Sequence, residues 1–273
     1  MASIAGSVTT EALEPFANQP MTDFTRQENI RAQEEALRQV ESEMGRTYPL
    51  IINGERRMTE ETFTSNNPAR PEQAVAVFAK AGVAEVNEAV EAAWKRFQTW
   101  QYTPAKERAG YLLKAAQLMR ERRFYFNALM IYEVGKSWPE ADGDTAEAID
   151  FMEFYAREAL RLAGDQPLTT IPEEESDLVY IPLGVGAVIP PWNFPCAIMV
   201  GLTTSALVTG NTVILKPAST AALIAARFVD LLDEAGVPKG VVSFLPGPGG
   251  AIGDALVPNK GWIRSTAADR PCR

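Results

Sequence analysis

Two polar side chains stand out because each follows a short apolar run with little other chemistry nearby. Asn193 lies in the corner Pro190-Pro191-Trp192-Asn193-Phe194-Pro195, and Lys216 directly follows the run at 212–215. An amide held between prolines can aim an N–H at a developing oxyanion. A lysine at the carboxyl end of a strand can bind a ribose hydroxyl or a phosphate. The plainer alternatives are that Asn193 caps the helix after it and that Lys216 is a surface lysine. Spacing leaves both pairs open. A third feature is the turn Pro246-Gly247-Pro248-Gly249-Gly250, placed where a phosphate cradle would enter a helix. It lacks the G-x-G-x-x-G order and is weak by itself.

These residues need a scaffold, and the surrounding pattern predicts one. Residues 185–189 are apolar, too few for a helix, and bounded by Gly184 and Pro190, the pattern of a buried parallel strand. Residues 196–208 are apolar nearly all round, so a buried helix is expected, ended by Gly210-Asn211. Residues 212–215 and 241–245 read as further buried strands. Ser219 is placed to cap a helix over 220–234 that Gly236 ends, and 251–257 begins a short one. The alternation predicts an α/β fold with a Rossmann-like parallel sheet, which binds ligands beyond the carboxyl ends of its strands.

The earlier half reads as mostly helical. Helices are expected over 26–44, 84–100, 103–119, 124–134 and 145–162. Asn53-Gly54 between 50–52 and 55–58 signals a hairpin with a type I′ turn. Short strands are expected at 63–67 and 74–78, and two more within 165–182. The acidic cluster Glu140, Asp142, Asp144, Glu147 and Asp150 lacks the spacing of a calcium loop. It is read as a solvated helix start favoured by the helix dipole.

Composition narrows the function classes. A hydrophobic fraction of 46% with 22% charged residues fits a globular protein able to build a core from 273 residues. A net charge of −9 argues against nucleic acid or an anionic membrane as partner. No apolar run approaches the ~20 residues of a membrane span, and the start lacks the order of a secretory signal. Two cysteines make no disulfide framework, so a cytoplasmic setting is expected. The absence of histidine removes the commonest general base and metal ligand, so no metal site is expected.

The corner PWNFP at 191–195, with the turn KPA at 216–218, resembles the signature of the aldehyde dehydrogenase superfamily, over roughly residues 14–257. The stretches PFANQPMTDFTRQENI, YPLIINGERR and EADGDTAEAIDFMEFYAR resemble the branch that oxidises L-glutamate γ-semialdehyde, the open form of 1-pyrroline-5-carboxylate, in proline degradation. The resemblance implies an NAD(P)-binding domain over 15–257, after a disordered extension over 1–14. It also implies early strands on that domain's edge and a protruding hairpin at 165–182 used in homo-oligomer contacts. Asn193 would donate to the oxyanion formed from a small aldehyde, and Phe194 would lie beside the substrate. Lys216 would bind the adenosine ribose of NAD, with Pro190, Pro191, Trp192, Gly249 and Gly253 bordering the cofactor. Ser219 stands where glutamate is commoner. Serine does not repel a 2′-phosphate, so NADP is possible as well.

The resemblance stops near 257, and the tail 258–273 looks unrelated to the superfamily. No Glu-Leu-Gly-Gly segment supplies the general base, and no Gly-Gln-x-Cys segment supplies the nucleophile. Cys196 begins an apolar helix and reads as inert packing. Cys272 lies in the tail and is no better a candidate. The expectation is a truncated, inactive half of an enzyme, ending after its third strand with an unpaired apolar edge. The alternative is a nucleotide-binding or structural fragment that needs a second polypeptide.

Overall fold

The computed structural model describes residues 13–257 and residue 259. Most of the expected disordered extension and most of the expected unrelated tail lie outside the described residues.

The chain opens with α1 (Gln27–Glu43), which turns Gln33, Ala36 and Val40 inward at helical spacing. A strand not expected from the sequence, β1 (Arg46–Tyr48), precedes the hairpin β2 (Leu50–Ile52) and β3 (Glu55–Arg57). Asn53 and Gly54 both have positive φ, 54° and 77°, as the I′ turn requires. Next come β4 (Thr62–Asn67), β5 (Arg70–Ala79), α2 (Val83–Trp100), α3 (Ala105–Glu121), α4 (Arg123–Val134) and α5 (Trp138–Ala163). The alternating part is β6 (Val185–Val188), α6 (Ala197–Val208), β7 (Thr212–Leu215), α7 (Ala222–Ala235), β8 (Val242–Phe244) and α8 (Gly249–Leu256).

The main sheet has the order β3-β2-β8-β7-β6, with β6, β7 and β8 parallel and in register. Period-two alternation sends the side chains of β7 to opposite faces. Val213 and Leu215 join the larger core with α3 to α7, while Ile214 packs with Val86, Val90 and Ile252 of α2 and α8. Both faces are therefore covered, which is why these strands are continuously apolar.

Several expectations change in three dimensions. The third parallel strand is not an open edge, because β2 runs antiparallel against β8 through the pair Ile51 and Phe244. The outer strand on that side, β3, exposes Glu55, Arg56 and Arg57, charges that discourage strand addition. On the other side, β6 has no outer neighbour among the described residues. Only β2 and β3 of the early strands lie at this sheet's edge. β4 and β5 form a separate three-stranded sheet with β1. No strand forms within 165–182, which is exposed over most of its length. An isolated two-stranded ribbon is marginal without a third strand or a packing face.

The acidic cluster is the largest correction. α5 begins at Trp138, seven residues before the expected start, with the Glu140 carboxylate reaching back to accept from the Ser137 N–H at 3.0 Å and its hydroxyl at 2.7 Å. Asp142 and Asp144 are consequently inside the protein, not at a solvated helix end. Asp142 receives a two-pronged bond from Arg123, both contacts 2.6 Å, and further donors from Thr22 and Asn127. Arg123 also donates to the Pro20 carbonyl at 2.7 Å, and Asp150 accepts from the Gln19 N–H and the Asn18 amide. Residues 14–24 are thereby strapped across α5.

Burial pushes the Asp142 carboxyl up, but the donors from Arg123, Thr22 and Asn127 outweigh it and hold the group below its ordinary value. Its contribution is therefore present above the unfolded value and lost as the pH falls through the lowered folded value. Asp142→Ala strands Arg123 and should cost about 3–5 kcal/mol, read as a lower urea midpoint at unchanged m-value. The variant should also lose less stability than wild type on acidification below about pH 4. A midpoint shift worth under ~1 kcal/mol would show that the strap tolerates an unpaired guanidinium.

Candidate functional site

Because β6, β7 and β8 are parallel, their carboxyl ends share one rim. Lys216 N–H donates to the Val188 carbonyl and Leu245 N–H to the Leu215 carbonyl, both at 2.9 Å, which locks the loops in register. Three segments meet there: 190–194 after β6, 216–219 after β7 and 246–249 after β8.

The structure decides between the alternatives left by spacing. Lys216 is not a surface lysine: it is only 5% exposed. Its ammonium carries three donors, and among the described residues it gives one bond, to the Pro217 carbonyl at 3.0 Å. Burial pushes its pKa down. Asn193 does not cap α6, whose N-cap is Cys196 with no side-chain bond. Instead Asn193 is exposed and makes no side-chain hydrogen bond within the described residues. Its neighbours divide: Pro190 is buried, while Pro191, Trp192 and Phe194 are exposed.

Ser219 does not cap α7 through its side chain. It opens a 3-10 turn, Ser219–Ala221, and its hydroxyl donates to the Gly247 carbonyl at 3.3 Å. The bond ties the loop after β7 to the loop after β8. Beyond it, Gly249 and Gly253 lie in α8, and a Cβ at either would meet nothing within 4 Å. Gly249 and Gly250 thus open α8 without side chains, and a helix N-terminus of this kind suits an anionic group.

On the other side of the corner is a cavity of about 560 Å³, walled by Lys136, Asp144, Glu147, Trp192, Asn193 and Phe194. Asn193 therefore belongs both to the loop after β6 and to the wall of this cavity. A larger cavity of about 640 Å³ lies between α1, α4 and α7 and contains none of the strand-end residues. Its central charges, Glu43 and Arg227, satisfy each other at 2.6 Å.

Sequence reasoning missed three residues around this site. Lys136 and Asp144 support the corner, as described below. Glu133, fully buried, accepts from the N–H groups of Leu223 and Ile224 at 2.7 and 3.0 Å and from Ser65 at 3.0 Å. It fixes the start of α7, directly after the Lys216 loop. Burial pushes its carboxyl up to about 7 against the pull of those donors. The sequence offered one available signal, and for Glu133 alone: a single charge in the largely apolar stretch 126–135.

The fold and rim define a doubly wound α/β unit with its ligand surface at the strand ends. The chain belongs to the aldehyde dehydrogenase family, whose model matches residues 56–263. A 1-pyrroline-5-carboxylate dehydrogenase from Bacillus pumilus is 51% identical over 243 residues, which cover 89% of this chain and 47% of the relative. Among solved structures, 1-pyrroline-5-carboxylate dehydrogenase from Thermus with bound NAD superposes with a TM-score of 0.87 at 49% identity. That match covers 90% of this chain and 48% of the other. The Delta-pyrroline-5-carboxylate dehydrogenase from Mycobacterium tuberculosis bound with NAD gives 0.81 at 32% identity, covering 89% and 46%. The chain spans about half the length of the curated relatives it matches.

Cys196 is fully buried, and burial, reinforced by the charge of Asp144, pushes its thiol well above the ordinary value. A thiol kept protonated and inaccessible cannot act as the nucleophile. In a Cys272→Ser variant, a thiol reagent should leave Cys196 unmodified in the native protein and label it fully after denaturation. Labelling within seconds in native buffer would overturn this assignment.

Proposed function

We propose that this chain is the cofactor-binding half of an NAD-dependent enzyme that oxidises L-glutamate γ-semialdehyde to L-glutamate, with NADP as a second admissible cofactor. The observation that carries this reading is the rim itself. A buried, under-bonded lysine, a bare glycine helix start and an amide in a proline corner meet at three parallel strand ends. Those residues fit a dinucleotide. Lys216 has donors left for ribose hydroxyls, the start of α8 offers backbone N–H groups to a pyrophosphate, and Trp192 offers apolar surface beside them. NAD, when bound, supplies the hydride acceptor. Asn193 donates its amide N–H to the oxygen of the aldehyde carbon as charge develops there. Phe194 lines the substrate side.

The thiolate and the general base are not supplied by any segment of these residues. The second reading is a nucleotide-binding or structural fragment that needs a second polypeptide for activity. On either reading the purified chain alone should produce no NADH from the aldehyde. The setting is cytoplasmic in this proposal, and among the described residues no helix is long and apolar enough to cross a membrane. The exposed apolar side chains Leu178, Val179, Tyr180, Ile181 and Leu183 support a homo-oligomer contact.

Calorimetric titration tests the cofactor half of the proposal directly. Wild type should bind NAD, and Lys216→Ala should weaken binding about 10-fold or more, roughly 1.4 kcal/mol. Ser219→Glu places a carboxylate where a 2′-phosphate would sit, and should raise the preference for NAD over NADP by about 10-fold. Absence of NAD binding by a folded wild-type chain would sink the proposal. An unchanged NAD to NADP ratio would show that Ser219 does not face the ribose.

A further inference from the structure

The corner that carries Asn193 is gripped from outside by an ion pair, its carboxylate buried and its lysine partly so, that belongs to neither the PWNFP nor the KPA signature. Asp144, in the second turn of α5, is fully buried. Its Oδ1 accepts the Ala197 N–H at 2.6 Å, and the Cys196 backbone donates to the same carboxylate. Asp144 thus caps α6 from another helix, where α6 supplies no side-chain cap of its own. Lys136 Nζ stands 2.8 Å from the other oxygen, Oδ2, as an ion pair. The same ammonium sits 4.3 Å from the centroid of the Phe194 ring. One carboxylate and one ammonium therefore hold the chain on both sides of Pro195.

Asn193 is the residue immediately before this grip. Its own side chain has no protein partner among the described residues, and residues 191–194 belong to no helix or strand. The corner's own backbone bond, from the Ile198 N–H to the Phe194 carbonyl at 3.2 Å, leaves the direction of the Asn193 amide free. The prolines at 191 and 195 fix φ only at their own positions. We infer that Lys136 and Asp144 are positioning residues for Asn193, holding Phe194 and the start of α6 so that the amide faces the reacting oxygen. The inference rests on the role proposed above for Asn193. A desolvated ion pair suits the task because its attraction is little screened, whereas an exposed pair would be worth little.

Amide hydrogen exchange on the full chain tests this without cofactor or turnover. Lys136→Met keeps the aliphatic stem and removes the charge, while Lys136→Arg keeps the charge and the ring contact. Asp144→Asn keeps an acceptor for Ala197. In Lys136→Met the amides of Cys196, Ala197 and Ile198, bonded to Asp144 and to the Phe194 carbonyl, should exchange about 10-fold faster, with Val213, Ile214 and Leu215 unchanged. Lys136→Arg should return the corner to within about 3-fold of wild type, and Asp144→Asn should release the corner as Lys136→Met does. Unchanged corner exchange in Lys136→Met would overturn the inference. So would an equal rise in the corner and in β7, which would mark a general loss of stability. A chain that fails to bind NAD but shows the local release would count against the functional reading and leave the clamp standing.

Discussion

A parallel ladder cannot be closed by a two-residue turn, so β6 and β7 must each return through a helix before the next strand begins. Right-handed crossovers then bring every loop that leaves a strand to one rim and every loop that enters a strand to the other. Both faces of the ladder are buried in the process, by α2 and α8 on one side and by the α3 to α7 layer on the other. The strands can therefore be short and wholly apolar, and all polar function is pushed to their ends. The site is a consequence of that geometry: Asn193, the turn from Lys216 to Ser219 and Gly249 come from three separate loops that share the rim.

The second theme is the handling of buried charge. Glu133, Asp142 and Asp144 lie on or just before the two helices that pack behind the rim, and each is supplied with donors from elsewhere in the chain. Glu133 fixes α7, Asp142 fixes the strap at 14–24, and Asp144 fixes α6. Removing a single partner from such a group leaves an uncompensated buried charge, so each acts as a stringent constraint on assembly. The three carboxylates join elements that hydrophobic packing alone would allow to slide. They do so beside the residues whose placement matters most.

The family relationship and the geometry are consistent. The chain superposes with TM-scores of 0.87 and 0.81 on two relatives whose structures contain NAD, over about half of each. In this chain β6 has no outer neighbour among the described residues, whereas the opposite edge is closed by the charged β2 and β3 hairpin. The two edges thus differ in kind: one is protected against addition of a strand, and the other presents a short apolar ladder.

Sequence alone determined most of the helices, the parallel strands and the chemistry on offer. The apolar runs at 185–189 and 212–215, the Asn53-Gly54 turn and the largely apolar helix before Gly210 are local signals, governed by propensity, period and turn geometry, and each is seen in the structure, the first strand ending at Val188. The motifs at 191–195 and 216–218 were equally legible, because they are contiguous. Tertiary structure decided what depends on distant partners. Asp142 and Asp144 read as solvated until Arg123, Lys136 and Thr22 are seen beside them. Ser219 read as a cap until Gly247 came within reach of its hydroxyl. β8 read as an edge until β2, some 190 residues earlier, was found against it. Burial and pairing are properties of the assembled chain, and no window of sequence contains both members of these pairs.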